Sequence, residues 1–130
     1  MALQAIDLVT LLVHDYDEAR RWFCDVLGFE VVEDTSLAGG KRWLVVAPPA
    51  GTGARLLLAR AADERQAANV GNQAGGRVSF FLATDDFAAD FGALRQRGVK
   101  FAEAPRQESY GTVVVFADLY GNRWDLIESK

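Results

Sequence analysis

The sequence predicts an α+β fold of two tandem βαβββ modules, one over about residues 4–60 and one over 77–130, joined by a linker at 61–76 within a single domain of 130 residues. Three observations predict it. Residues 8–34 and 78–104 repeat one order: an apolar run, an aspartate, an amphipathic segment, a glycine and a second apolar run. The spacing repeats as well, since Gly28 follows Asp15 and Gly98 follows Asp85 by 13 positions each. Two further runs rich in apolar and β-branched residues then follow in each half.

Each element has its own local reason. The run Leu8–Val13 is bounded by polar residues and reads as a buried strand. Asp15 can accept from the unpaired amides of a first helical turn, and Glu18 stands three places on, a capping-box-like pair. Ala19, Trp22, Phe23, Val26 and Leu27 form one apolar stripe at helical spacing. Gly28 closes that helix in the left-handed conformation, and a strand resumes over 29–32. Strands at Arg42–Ala47 and 55–59 flank a turn containing Pro48, Pro49, Gly51 and Gly53. The linker reads as partly helical, with a loop over 71–76.

The second half repeats the sequence of elements. Val78–Ala83 is its first strand, Asp85 or Asp86 caps its helix, and Phe87, Phe91 and Leu94 form the stripe. Gly98 ends that helix. Strands are then expected at 99–101, 112–117 and 123–128, the last two joined by the turn at 118–122. A repeat of this kind implies that neither half closes its core alone.

Composition narrows the function classes. A net charge of −4 disfavours nucleic acid and anionic membrane as partners, since both are polyanions. The single cysteine, Cys24, rules out an internal disulfide and is compatible with a reducing compartment. The apolar run at 8–13 is too short for a secretory core, and no stretch approaches the ~18 apolar residues of a membrane span. The expected compartment is the cytoplasm. No strand–GxxxxGK[ST]–helix pattern supports a phosphate loop.

The aspartate cap, the aromatic-containing helix and Val26-Leu27-Gly28-Phe29 resemble the first module of the vicinal oxygen chelate superfamily, which includes glyoxalase I, bleomycin-resistance proteins and extradiol dioxygenases. The stretch from Phe116 through Asp118, Gly121 and Asn122 to Glu128 resembles that superfamily's last hairpin. Leu119 replaces its usual proline, Tyr120 its usual aspartate, and Asp125 its usual glutamate. The resemblance implies that the two modules form one cup-shaped mixed half-barrel with the helices outside and a small molecule or metal inside. It also implies a homodimer, with or without exchanged modules.

Metal-dependent members place His, Glu or Gln at four cup positions. Carried onto this chain, those positions fall on Leu8, Leu57, Ser79 (Val78 if the register slips by one) and Asp125. Leucine offers no lone pair, serine is a weak neutral donor, and one carboxylate does not hold a catalytic divalent ion. The only histidine, His14, lies six residues beyond Leu8, ~20 Å along an extended strand. The expectation is a protein without a metal or other cofactor.

Strand alternation places Leu8 and Thr10 together, with Leu57, Ser79, Phe81, Arg123, Asp125 and Trp124 as further candidate ligand contacts. Asp125 reads either as a general base or ligand-binding carboxylate, or as the ion-pair partner of Arg123; the ion pair is the favoured reading. Arg42 and Arg123 read as solvated charges or as an anion clamp, Trp43 and Trp124 as core packing or as stacking platforms. His14 reads as a strand-end residue and Cys24 as an idle thiol, while Asn72 and Gln73 read as spacer or as contacts over the cup mouth. The expected function is metal-free binding of a small hydrophobic or aromatic molecule. The alternative is a lyase, isomerase or dioxygenase of the superfamily, working through Asp125 without a metal or through an unrecognised metal site.

Overall fold

The computed structural model describes residues 1–130 and divides them into two compact units, 1–70 and 71–130. Nine strands and three α-helices make it an α+β chain with two mixed sheets. None of the helices is long and apolar enough to cross a membrane.

The first unit runs β1 (Leu8–Val13), α1 (Tyr16–Asp25), β2 (Glu30–Ser36), β3 (Arg42–Ala47), β4 (Arg55–Arg60) and α2 (Glu64–Asn69). Its sheet has the order β1-β4-β3-β2, with β1 parallel to β4 and the other pairs antiparallel. A parallel pair cannot be closed by a tight turn, so the chain crosses over through α1 before returning. Asp15 caps α1 as expected, accepting from the Glu18 amide at 2.8 Å. The stripe buries Tyr16, Ala19 and Phe23, and Phe23 makes ring contacts with Trp22 and Phe29. Leu11, Val13, Leu44, Val46, Leu56 and Leu58 complete this core. β2 extends four residues past the expected end at Val32. Its polar stretch from Glu33 to Ser36 is held by pairing with β3, which an exposed edge strand tolerates.

A charged cluster secures the edge of this sheet. Arg42 makes two hydrogen bonds to Asp34, at 2.7 and 3.1 Å, and one to Asp17 at 2.7 Å; Arg20 joins Asp34 as well. Arg42 and Arg60 both lie over the Tyr16 ring, 5.2 and 5.0 Å from its centroid. Arg42 is thus committed to structure, neither a solvated charge nor a free anion clamp.

The second unit runs β5 (Val78–Ala83), α3 (Phe87–Gln96), β6 (Lys100–Phe101), β7 (Arg106–Glu108), β8 (Gly111–Ala117) and β9 (Arg123–Ser129). It repeats the closure of the first, with β5 parallel to β9 and the order β5-β9-β8-β6, while β7 also pairs with β8. Asp86, not Asp85, caps the helix, accepting from the Ala89 amide at 3.2 Å. Both helices have ten residues; the equal spacing seen from Asp85 arises because α1 is followed by two residues before its glycine and α3 by one. The expected strand at 99–101 forms as β6, and β7 is an additional, unexpected strand. Pro105 has no amide hydrogen to give to the ladder, and pairing with β8 resumes only at Arg106. A line of aromatic rings, Phe87, Phe91, Phe101, Phe116, Trp124 and Phe80, forms the core between α3 and the sheet.

The β8–β9 turn is organised by one buried carboxylate. Asp118 Oδ1 accepts from the Tyr120 and Asn122 amides, and Oδ2 accepts from Asn122 Nδ2 and Trp124 Nε1, all at 3.0 Å. Asn122 Oδ1 in turn accepts from the Gln73 amide at 3.2 Å, which gives Gln73 a structural contact. At the far end of β9, Glu128 Oε1 accepts from the Phe87 amide at 2.8 Å and ties the strand to the start of α3.

Two outcomes follow. Asp118→Ala strands four donors in a buried turn and lowers stability by about 3 kcal/mol in urea unfolding. Asp34 is held below its ordinary value of 3.8, chiefly by its hydrogen bonds from Arg42. A lowered folded pKa means that this carboxylate adds stability above the unfolded value and loses it as pH falls through the folded one. The stability gap between the native chain and Asp34→Asn, measured by urea unfolding, is therefore constant above pH ~5 and closes in more acid solution.

Candidate functional site

Each sheet packs one face under its long helix, and strand alternation assigns the other residues to the opposite face. In the first unit the register sets Thr10 beside Leu57 and Leu57 beside Val45, with Leu8 next to Arg55 and Leu12 next to Ala59. Leu8, Thr10 and Leu57 are therefore brought together on the face away from α1. Leu11 and Val13, which alternate with them, are fully buried. Besides these aliphatic groups the face carries the exposed Thr10, Trp43, Glu33 and Thr35, and the rim arginine Arg55, which pairs with Asp7 at 2.8 Å.

In the second unit the corresponding row is Phe81, Asp125 and Val115, and the next is Ala83, Ile127, Val113 and Arg106. Asp125 and Leu57 thus hold matching places, each on the last strand of its unit between a parallel and an antiparallel neighbour. Phe81 is 68% exposed beside Asp125. A bulge between Val78 and Phe80 takes up Ser79 and leaves Arg123 paired with Val78. That irregularity is why the first-strand register is ambiguous by one residue from sequence alone. Trp124 corrects the expectation that it contacts a ligand. It points to the opposite face, is 2% exposed, and is held by Asp118 and the rings of Phe80 and Phe116.

The favoured ion pair between Asp125 and Arg123 does not form. Asp125 makes no salt bridge, and its Oδ1 is closed to solvent without a hydrogen-bond partner. Burial pushes its carboxyl above the usual value of 3.8, opposed by Arg106, reinforced by Glu103 and opposed more weakly by Arg123. Arg106 instead gives its Nε to Glu103 at 2.8 Å and its Nη1 to Glu108 at 2.6 Å, and makes no salt bridge with Asp125. This Glu103–Arg106–Glu108 group escaped the sequence reading. Its signal was the short polar stretch Arg106–Glu108 directly before the turn residues Ser109, Tyr110 and Gly111, which marks a hairpin.

The remaining candidates lie elsewhere. His14 is exposed just beyond β1, and Cys24 lies half-buried on α1, its thiol pushed up by burial. Asn72 is exposed. Within neither unit do three His, Cys, Asp or Glu side chains gather so as to hold a metal ion. The four positions that bind metal in the resembled family carry Leu8 and Leu57 in the first unit and Ser79 and Asp125 in the second, and this donor set does not suit a divalent ion.

The family model of the Glyoxalase/Bleomycin resistance protein/Dioxygenase superfamily matches residues 5–126. The chain belongs to that superfamily. An uncharacterized protein from Shewanella frigidimarina is 50% identical over 126 residues, covering 96% of this chain and 93% of its own length. TnmS3, an antibiotic binding protein from Streptomyces sp. CB03234, is 28% identical with a TM-score of 0.83, covering 100% of this chain and 99% of its own. A superfamily member from Sphaerobacter thermophilus is 26% identical with a TM-score of 0.84, covering 99% and 100%. This chain therefore has the fold of the superfamily.

The raised carboxyl of Asp125 has a thermodynamic consequence. A carboxylate whose folded pKa lies above its unfolded one costs stability once ionised, and the cost vanishes below the unfolded value of 3.8. Asp125→Asn removes the charge while keeping the shape. Its melting temperature at neutral pH is expected to exceed that of the native chain by about 2 °C, with the advantage lost in acid, as followed by circular dichroism.

Proposed function

We propose that this protein binds a small hydrophobic or aromatic molecule on the sheet faces opposite its long helices, without a bound metal. The observation that carries the reading is Phe81, an aromatic ring left 68% exposed on a sheet face that also carries Ala83, Ile127, the acid Asp125 and the arginines Arg106 and Arg123. Large exposed apolar groups beside a few placed polar ones mark ligand surfaces. Leu8, Thr10 and Leu57 offer a comparable surface in the first unit. The similarity to an antibiotic binding protein supports the same class of ligand. The reading includes a cytoplasmic homodimer: the resemblance implies pairing, and Trp43 and Tyr110 are exposed apolar groups that a second chain would cover.

A second reading makes the chain a metal-independent lyase or isomerase. It draws on Asp125, whose buried, unpartnered carboxylate is suited to take a proton.

Calorimetric titration with 1-naphthylmethanol, a neutral aromatic probe, tests the binding reading. Saturable binding is expected, weakened about tenfold in Phe81→Ala. Absence of saturable binding, or one divalent ion per chain in elemental analysis of protein purified without chelators, overturns it. Turnover of an aromatic substrate that disappears in Asp125→Asn selects the second reading.

A further inference from the structure

Asp125 is a charge without an answer in its own unit. Its Oδ1 is shut from water with no donor beside it, a state that a buried polar atom rarely keeps in a native fold. Two cations lie near enough to act on it. Arg123 stands two residues back on the same strand, exposed, and makes no ion pair with it. Arg106 lies one row away on the same face, but its guanidinium is divided between Glu103 and Glu108. Glu103, Glu108 and Asp125 share this side of the sheet with Arg106 and Arg123, and Lys100 lies in the row of Arg123 through Ala117, yet no cation forms a salt bridge with Asp125.

The rest of the surface selects among ligands. Phe81 is the direct register neighbour of Asp125, and its ring is mostly exposed. A carboxylate beside an open aromatic face is the pairing that attracts an organic cation, through charge and through the ring quadrupole within ~6 Å. Ile127 and the exposed Ala83 supply apolar contact and no competing donor. A neutral acceptor would find no donor in an ionised Asp125.

We propose that the ligand bears a protonated amine that pairs with Asp125, while its apolar or aromatic body packs on Phe81 and the aliphatic residues around it. This rests on the binding function proposed above and names the chemical class of its ligand. The amine supplies the positive charge that Arg106 and Arg123 do not.

The test compares two probes of nearly equal shape, 1-naphthylmethylamine and 1-naphthylmethanol, titrated calorimetrically into the native chain and into Asp125→Asn. The native chain is expected to bind the amine about tenfold more tightly than the alcohol. In Asp125→Asn the preference for the amine over the alcohol disappears. Carbon-detected NMR of the native chain should show the Asp125 carboxyl titrating at lower pH with the amine present and unchanged with the alcohol. Equal affinity for the two probes in the native chain, or a preference that survives in Asp125→Asn, overturns the amine assignment and leaves the binding function standing. Failure of both probes to bind overturns the binding function and the assignment with it.

Discussion

The parallel pairing of first strand with last, β1 with β4 and β5 with β9, is the constraint on which each unit depends. Such a pair needs a crossover, and the crossover contains the long helix. The helix covers one sheet face and supplies the aromatic side chains that fill the core beneath it. The residues on the opposite face are set by strand alternation, so the surface we propose for a ligand follows from topology.

The two units stabilise their margins differently. The first uses a web of arginines and aspartates around Tyr16, in which Arg42 is shared between Asp34 and Asp17 and stacks on the ring. Bidentate geometry and partial burial distinguish this web from the exposed pairs that contribute little. The second unit relies on Asp118, a single acid whose two oxygens satisfy four donors. Asp118 and Asp125 lie seven residues apart and show opposite solutions. One buried carboxylate is fully satisfied and holds a turn; the other is left wanting a donor.

Much of this order is legible in the residues. The repeated strand, cap and glycine betray the modules because capping and left-handed turns leave local chemical marks, and the end signature from Asp118 to Glu128 carries the turn. The inner and outer faces of β1 follow from alternation alone. Other features depend on distant partners and leave weaker traces. Nothing near Glu33 to Ser36 announces a strand; β3 makes it one. The break at Pro105 separates β6 from β7, and with it the Glu103–Arg106–Glu108 group stayed hidden. Arg123 and Asp125 stand at pairing distance along a strand, yet the pair is not made. Trp124 turned inward because its indole N–H had a buried acceptor in Asp118, a contact across a turn that the composition does not reveal.

Leu57 and Asp125 stand on β4 and β9, the strands flanked by hydrogen-bonded neighbours on both sides. Backbone there is clamped by the ladder whatever side chain it carries. The scaffold can therefore trade an aliphatic group for an acid at either place without redrawing its framework. Chemistry at these points is set by single-residue replacement, and evolution could diversify the ligands of such a domain while its architecture stays unchanged.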